Sequence, residues 1–512
     1  MLKHVTHDLQ IAAALALTLM VAHGLPQSTV AANARPNILF VLSDDHALEA
    51  IGAYGSWLKD YVQTPTIDRL AAEGMRFTNV CCNNSICSPS RSSIITGQYS
   101  HINGGRNLNC SLNDDAPSYN RQLHEAGYQT AVVGKWHMKH MPRGMDFYAV
   151  TKGQGKYFNP TFQRLDGSKT KHEGYYADVY TDTALDWLKN RVKSRPFCLN
   201  LHFKGPHHPY DYPERHANLL ADKLVPQPAS LHEDVAATSP LLKGKHWWHM
   251  LRNRGYFQRH VDDTKPKMWP HDETDKAKIS AAYQHMIHKY IRCVAAIDDN
   301  LRRIFDYLEA EGVKDNTLIV YTSDQGYWLG QHGLYDKRLI LEESLKMPLI
   351  VRYPRDVKAG TVNENLVSNV DFAEMILDYA GIEPDPRMQG RSIRPLLQGR
   401  TPDDWRTAIW YAYWAGGHPH WGIRSQHFKL VLFPDTDQFE FYDLQKDAQE
   451  MNNLAQDPEY ADAIAAAQRT VDDLMRQVKI KPDQLPGHDK RGNSNAPTLK
   501  NDLKRKKQKN KK

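Results

Sequence analysis

Ile38–Leu42 is apolar without alternation, and Gln129–Val133, Phe197–Phe203 and Thr317–Tyr321 also read as strands. A strand with one wet face alternates, so the unbroken first run predicts a strand covered on both faces, as in a parallel sheet under two helix layers. Helical patterns lie between them. Thr64-Pro65 opens a segment that stops at Gly74, and Tyr119–Ala126 and Phe372–Tyr379 read as short helices. Ile287, Ile291, Val294, Ile297, Leu301, Ile304 and Leu308 recur every three or four residues, the stripe of a helix laid on a sheet. This helix is expected to be structural. After Gly399 and Pro402 the pattern changes to short runs, Thr407–Trp414, Gly422–Arg424, Lys429–Phe433 and Phe439–Asp443, then a helix over 458–478. That predicts a small antiparallel sheet with a closing helix.

The expected fold is therefore α/β. A large, mostly parallel sheet is sandwiched by helices over 35–400, with a smaller C-terminal α+β domain over 401–485. Residues 1–34 read as an export signal: Lys3, an apolar run from Ile11 to Ala22, then the small residues Ala32-Asn33-Ala34. The run is too short to span a bilayer. The expectation is a periplasmic or secreted chain with no transmembrane span after cleavage. A long stretch over 213–278 carries Trp247, Trp248 and Trp269, which suit either the face of a sugar or a small core of their own.

Composition changes this picture little. The 512 residues are 41% hydrophobic and 24% charged, ordinary for a globular protein. Charge is more telling. The net charge is +6, yet residues 500–512 alone hold eight bases and one acid. The basic balance thus belongs to a tail, 486–512, expected to be disordered, and the rest is near neutral. No nucleic-acid partner is expected. Six cysteines, Cys81, Cys82, Cys87, Cys110, Cys198 and Cys293, are too few for a disulfide scaffold, although Cys110 could pair with Cys81 or Cys82.

The chemistry lies where the strands end. The first delivers Ser43-Asp44-Asp45, adjacent carboxylates that repel unless a cation sits between them. The others deliver Gly134-Lys135-Trp136-His137, Gly205-Pro206-His207-His208 and Ser323-Asp324-Gln325-Gly326. In open parallel sheets, sites form beyond the carboxyl ends of strands. A second feature is Asn84-Ser85-Ile86-Cys87-Ser88-Pro89-Ser90-Arg91, leading through Ile94-Ile95 to Thr96-Gly97. Ser88 reads as an N-cap, Pro89 as the first helical residue and Gly97 as the stop. Cys87 would then sit just before a helix N-terminus, where free N–H groups favour an anion, with Arg91 one turn in.

The pattern Cys-x-Pro-Ser-Arg with Thr-Gly downstream resembles the signature of the sulfatase family, within the alkaline phosphatase superfamily. All four strand deliveries match the same family from about Arg35 to Gly399. The resemblance implies that Cys87 is converted by a formylglycine-generating enzyme to an aldehyde whose hydrate attacks sulfur. It implies a Ca2+ ion held by Asp44, Asp45, Asp324, Gln325 and residue 87. The family more often has Asn where Gln325 stands. Arg91, Lys135 and Lys337 would hold the sulfate and the hydrate, His137 would help release sulfate, and His207 would protonate the leaving alcohol. His420, before Trp421-Gly422-Ile423-Arg424, is a candidate substrate contact. The motif contexts look like the branch acting on 6-sulfated N-acetylglucosamine, so the expected substrate is a sulfated carbohydrate. Two other readings are a phosphate or phosphonate monoester hydrolase of the same superfamily and a non-catalytic glycan-binding protein.

Overall fold

The computed structural model describes residues 35–488 except 110, 234–238, 240, 242–249, 251–274, 416, 417 and 435. The export signal, residues 489–512 of the basic tail, Cys110 and the three tryptophans of the long insert lie outside the described residues.

A ten-stranded sheet organises the molecule. In chain order its strands are β1 (Asn37–Asp44), β2 (Met75–Phe77), β3 (Gln129–Lys135), β4 (Phe147–Thr151), β5 (Thr161–Arg164), β6 (Lys169–Lys171), β7 (Phe197–Pro206), β8 (Thr317–Ser323), β9 (Leu349–Arg352) and β10 (Thr361–Asn363). Their spatial order is β10-β2-β9-β8-β1-β7-β3-β4-β5-β6. The central five, from β8 to β4, are mutually parallel. Antiparallel pairs flank them on both sides, so the sheet is mixed at its margins and parallel in the middle.

The unbroken apolar run of β1 has the cause expected of it. Along β1, Ile38, Phe40 and Leu42 enter one core, and Leu39 and Val41 enter the other. On the first face lie helices α2 (Cys87–Thr96), α3 (Tyr119–Glu125) and α6 (Asp371–Tyr379). On the second lie α1 (Pro65–Glu73), α4 (Tyr176–Asn190) and α5 (Asp275–Ala310). All seven residues of the predicted α5 stripe are buried. Ile291→Ala is expected to lower unfolding free energy by about 2–5 kcal/mol, measured by chemical denaturation, because it deletes methyl and methylene groups from a core that cannot fully collapse.

The C-terminal strands β11 (Ala408–Tyr413), β12 (His420–Ser425), β13 (Phe428–Leu432) and β14 (Phe439–Asp443) form a separate antiparallel meander. Helix α7 (Ala461–Gln477) closes one face through Ile464, Ala467 and Val471. The N–H of Ala412 donates to the carbonyl of Asn83 at 3.0 Å, tying this sheet to the segment that leads into α2.

Two local expectations need correction. Helix α2 begins at Cys87 itself, after the extended Ile86, and has no side-chain cap. Ser88 does not cap it, because its hydroxyl donates to the carbonyl of His137 at 2.6 Å instead. The stop at Gly97 is left-handed as expected, with φ 62°. Cys81 and Cys82 are buried free thiols, not disulfide partners.

Candidate active site

Strands β8, β1, β7 and β3 are consecutive neighbours in the sheet, and each ends in polar residues at the same edge. Residues hundreds of positions apart in sequence are thereby brought within contact. Asp44 lies opposite Pro206 in register, and Ser43 opposite Ser323. The N–H of Asp324 donates to the carbonyl of Ser43 at 3.1 Å, and that of Asp45 to Asp324 Oδ1 at 3.1 Å. Gly326 allows this corner, since a Cβ there would lie 2.2 Å from the Glu343 carbonyl oxygen. Asp45 and His137 adopt left-handed backbone, φ 66° and 55°, a conformation non-glycine residues rarely take outside functional sites.

Helix α2 presents its N-terminal turn to this edge. Arg91 is fully committed: Nε donates to Asp324 Oδ2 at 2.9 Å, Nη1 to the Lys135 carbonyl at 2.7 Å, and Nη2 lies 3.5 Å from Asp44 Oδ1. Lys135 Nζ pairs with Asp44 Oδ2. Lys337 Nζ donates to Asp45 Oδ2 at 2.6 Å and lies 3.3 Å from Asp336 Oδ1. His207 Nε2 stands 3.7 Å from Asp45 Oδ2, with Nδ1 against the His208 carbonyl at 2.6 Å. A cavity of about 250 Å3 opens above, lined by Cys87, Gln154, His207, Asp336, Lys337 and Arg338 among others.

Asp44, Asp45, Asp324, Gln325, Cys87, Arg91, Lys135, His137, His207 and Lys337 thus share one site. His420 does not join them. It is wholly buried in β12, its Nε2 accepts from the Ile340 N–H at 3.2 Å, and its Nδ1 faces the His418 carbonyl at 2.7 Å. Stacked on Tyr411, it supports the backbone just after Lys337 and has no ring nitrogen left for a substrate.

Electrostatics distinguish the acids. Burial works against ionising all three. For Asp44, the charges of Lys135, His207 and Arg91 outweigh burial and hold the carboxyl well below the usual range. Asp324 is pushed up to about 8 by burial and by Asp44. Asp45 rises to about 6, because burial outweighs the stabilising Lys337. Three buried carboxylates therefore converge within 4.8 Å, and two of them resist ionising despite the cations around them. The Oε1 of Gln325 is buried with no hydrogen-bond partner, while its Nε2 donates to Asp45 Oδ1. Carboxylates plus an unpartnered amide oxygen are the donor set of a hard divalent cation, so the residues present fit Ca2+.

Cys87 fits worse as a thiol. Burial, then the charge of Asp44, pushes its pKa far up, so it is no thiolate at neutral pH. A soft protonated sulfur beside hard oxygen ligands is a mismatch. His137 is pulled down to about 2 by burial and Lys135, leaving a neutral imidazole whose Nδ1 lacks a partner. Burial and Lys337 likewise lower His207. An incoming anionic ester would raise it again.

Several contributors were missed by sequence reasoning. Tyr290 sits on α5, between two residues of the apolar stripe, and its hydroxyl donates to the Asp45 carbonyl at 2.5 Å while accepting from the Ala47 N–H at 2.8 Å. The helix is thus more than structural. Asn369 Nδ2 donates to Ser90 Oγ at 2.8 Å, and Ser90 in turn donates to the Asp324 carbonyl. Neither residue falls in a strand-end motif. Gln154 stands between Gly153 and Gly155, which was the one available hint.

His332 is a neighbour with a different job. Its Nδ1 pairs with Glu233 at 2.6 Å and its N–H donates to Ser230 Oγ at 3.1 Å, pinning residues 230–233 of the long insert. Burial opposes its charge, but Glu233 and Glu343 overcome it and raise the pKa to about 9. A folded pKa above the unfolded value stabilises below about 6.5, and that contribution is lost as pH rises through about 9. Thermal melts from pH 6 to 10 should show this loss in the wild type and a flatter profile in His332→Gln.

The parallel centre of the sheet thus gathers a buried acid cluster, a helix-mouth cysteine and three cations at one edge. The sulfatase family model matches residues 36–382, and the model described as N-sulphoglucosamine sulphohydrolase, C-terminal, matches 330–477. The chain belongs to the sulfatase family and is a sulfuric ester hydrolase. It is 39% identical over 496 residues to an N-acetylglucosamine-6-O-sulfatase of Bacteroides thetaiotaomicron, covering 88% of each chain. It is 28% identical over 413 residues to human N-acetylglucosamine-6-sulfatase, covering 75% of this chain and 68% of that one. A solved structure described as in complex with its substrate D-glucosamine-2-N,6-O-disulfate superposes with a TM-score of 0.82 at 37% identity, covering 88% of this chain and 99% of that chain.

Proposed function

We propose that this enzyme removes 6-O-sulfate from N-acetylglucosamine or a related sulfated glucosamine in glycans, using formylglycine at position 87 and one Ca2+. The observation that carries it is the setting of residue 87: at the first turn of α2, it lines a cavity with His207 and Lys337 beside the acid cluster. As formylglycine, residue 87 would supply a hydrated-aldehyde oxygen as nucleophile. Ca2+, held by Asp44, Asp45, Asp324 and Gln325, would stabilise negative charge on that oxygen and on the ester.

The chain's own residues do the rest. Arg91, Lys135 and Lys337 balance the three acids in charge, so a bound divalent cation leaves the site positive, as an anionic ester requires. Lys135 and Lys337 then offer ammonium protons to sulfate oxygens. His207 Nε2, protonated once the ester's charge is present, donates to the leaving alcohol oxygen. His137, neutral and with a free Nδ1, accepts a proton during sulfate release. Residues 1–34 carry the chain out of the cytoplasm, where sulfated glycans are found; among the described residues, no helix is long and apolar enough to cross a membrane.

Sulfate release from a panel of sulfated monosaccharides and polysaccharides, with matched phosphate esters, tests this. The expected result is preference for glucosamine 6-sulfates and at least about a hundredfold lower kcat/KM for phosphate esters. Equal or better phosphate hydrolysis would reject the reading.

A further inference from the structure

The loop after β4, residues 152–157, touches two members of the site from outside the strand ends that build it. Gln154 lines the same cavity as Cys87, His207 and Lys337, and its Oε1 accepts a hydrogen bond from Lys135 Nζ. Tyr157, 3% exposed, donates its hydroxyl proton to the His207 carbonyl. The Tyr157 ring also carries the ammonium of buried Lys204 at 4.6 Å from its centroid. We propose that this loop is a positioning device that sets two groups at once, Gln154 directing Lys135 toward the ester and Tyr157 fixing the backbone that bears His207.

The loop is built for this. Tyr157 is anchored: its carbonyl accepts from the Tyr176 N–H at 2.7 Å, and its ring meets Tyr176 edge-on at 5.3 Å. Upstream of that anchor, Gly153 and Gly155 have φ of 57° and 66°. A Cβ at Gly155 would lie 2.8 Å from Thr151 Oγ1, so the turn that presents Gln154 against Lys135 needs glycine there. The chemistry of an amide also suits the place. Lys135 has Asp44 on one side, and paired to that carboxylate alone it would be drawn back toward the acid cluster. A second acceptor holds the ammonium between two partners. Because that acceptor is neutral, it adds no negative charge to a cavity that must admit an anion. Tyr157 acts on the other reacting end. His207 follows the end of β7, and a hydroxyl clamped to its carbonyl limits where the imidazole can stand relative to the leaving oxygen.

The inference rests on the sulfatase reading, and the test separates the two. Wild type, Gln154→Ala, Gln154→Asn, Gln154→Glu and Tyr157→Phe are purified, checked for melting temperature and formylglycine content, and assayed on the best sulfate ester of the panel. Gln154→Ala should raise KM about fivefold to tenfold with a smaller change in kcat, the scale of one charge-assisted hydrogen bond. Gln154→Asn should recover part of this, and Gln154→Glu should raise KM further. Tyr157→Phe, which keeps the ring under Lys204, should lower kcat about fivefold and leave KM nearly unchanged. Wild-type kcat and KM in both Gln154→Ala and Tyr157→Phe would overturn the proposal, as would losses that only follow melting temperature or modified fraction. A wild type inactive on every sulfate ester would reject the sulfatase reading instead. Titration calorimetry with inorganic sulfate then decides the loop: binding weakened about fivefold by Gln154→Ala supports it, and unchanged binding overturns it.

Discussion

Cys87→Ala is expected to abolish sulfate-ester hydrolysis, by at least about a thousandfold in kcat, while the protein stays folded. The side chain is small and buried at the first turn of α2, so its loss removes one sulfur and leaves the helix, its left-handed stop and the acid cluster in place. Cys87→Ser is expected to be nearly as inactive. A serine hydroxyl offers one oxygen and no route to a carbonyl, whereas a hydrated aldehyde has a second hydroxyl whose proton loss expels sulfate. The unmodified thiol gives no shortcut, because burial and Asp44 keep it protonated. Mass spectrometry of the peptide spanning residue 87 checks the premise and steady-state assays check the outcome. Full activity in Cys87→Ala, or an active wild type whose peptide carries only thiol, would remove residue 87 from the chemistry.

How much of this was legible in the sequence follows from which interactions are local. The unbroken apolar run of β1 reports two covered faces, and covering is a property the strand carries by itself. That the ends of β1, β3, β7 and β8 converge is a consequence of sheet order, which apolar runs do not encode; the family resemblance supplied it. Lys337 illustrates the gap. It sits on a loop after a two-residue bridge at Tyr335-Asp336, where a lysine ordinarily stays solvated, yet it is 3% exposed and paired with Asp45. Tyr290 was hidden for the opposite reason, because its neighbours Ile287 and Ile291 explain the helix without it. His420 was misread because histidine beside tryptophan suits both a sugar site and an aromatic core. Burial between the C-terminal sheet and the Ile340 backbone is a tertiary fact that a local pattern does not carry. Ser88 shows the limit at the finest scale: the capping preference is real, but the His137 carbonyl, brought in from β3, competes for the same hydroxyl.

Removing calcium is the second large effect, and its direction with pH follows from the acids. Chelation should lower kcat/KM by at least about a hundredfold, restored by Ca2+, since ligand-shell losses alone commonly cost ten- to a hundredfold. A carboxylate must lose its proton to ligate a metal. Without metal, Asp324 is pushed up to about 8 and Asp45 to about 6, so protons compete with calcium through that window. Calcium affinity should therefore rise steeply from pH 6 to 8 and flatten above. The linkage works in the other direction for the metal-free protein. Acids with folded pKa values above their unfolded ones stabilise at low pH, and that contribution disappears as pH rises through the folded values. Chelated protein should thus lose melting temperature more steeply between pH 5 and 8 than the calcium-loaded protein, in which these two acids stay ionised. Asp324→Asn separates the two effects: it removes the higher of these two raised acids, flattening the pH dependence of the chelated melt, and it leaves Arg91 Nε without a charged partner and the cation one carboxylate short. Calorimetric titration of Ca2+ into this variant should show affinity reduced by at least about tenfold. An unchanged affinity, or a chelated wild type as active as the loaded one, would take the metal away from these four residues.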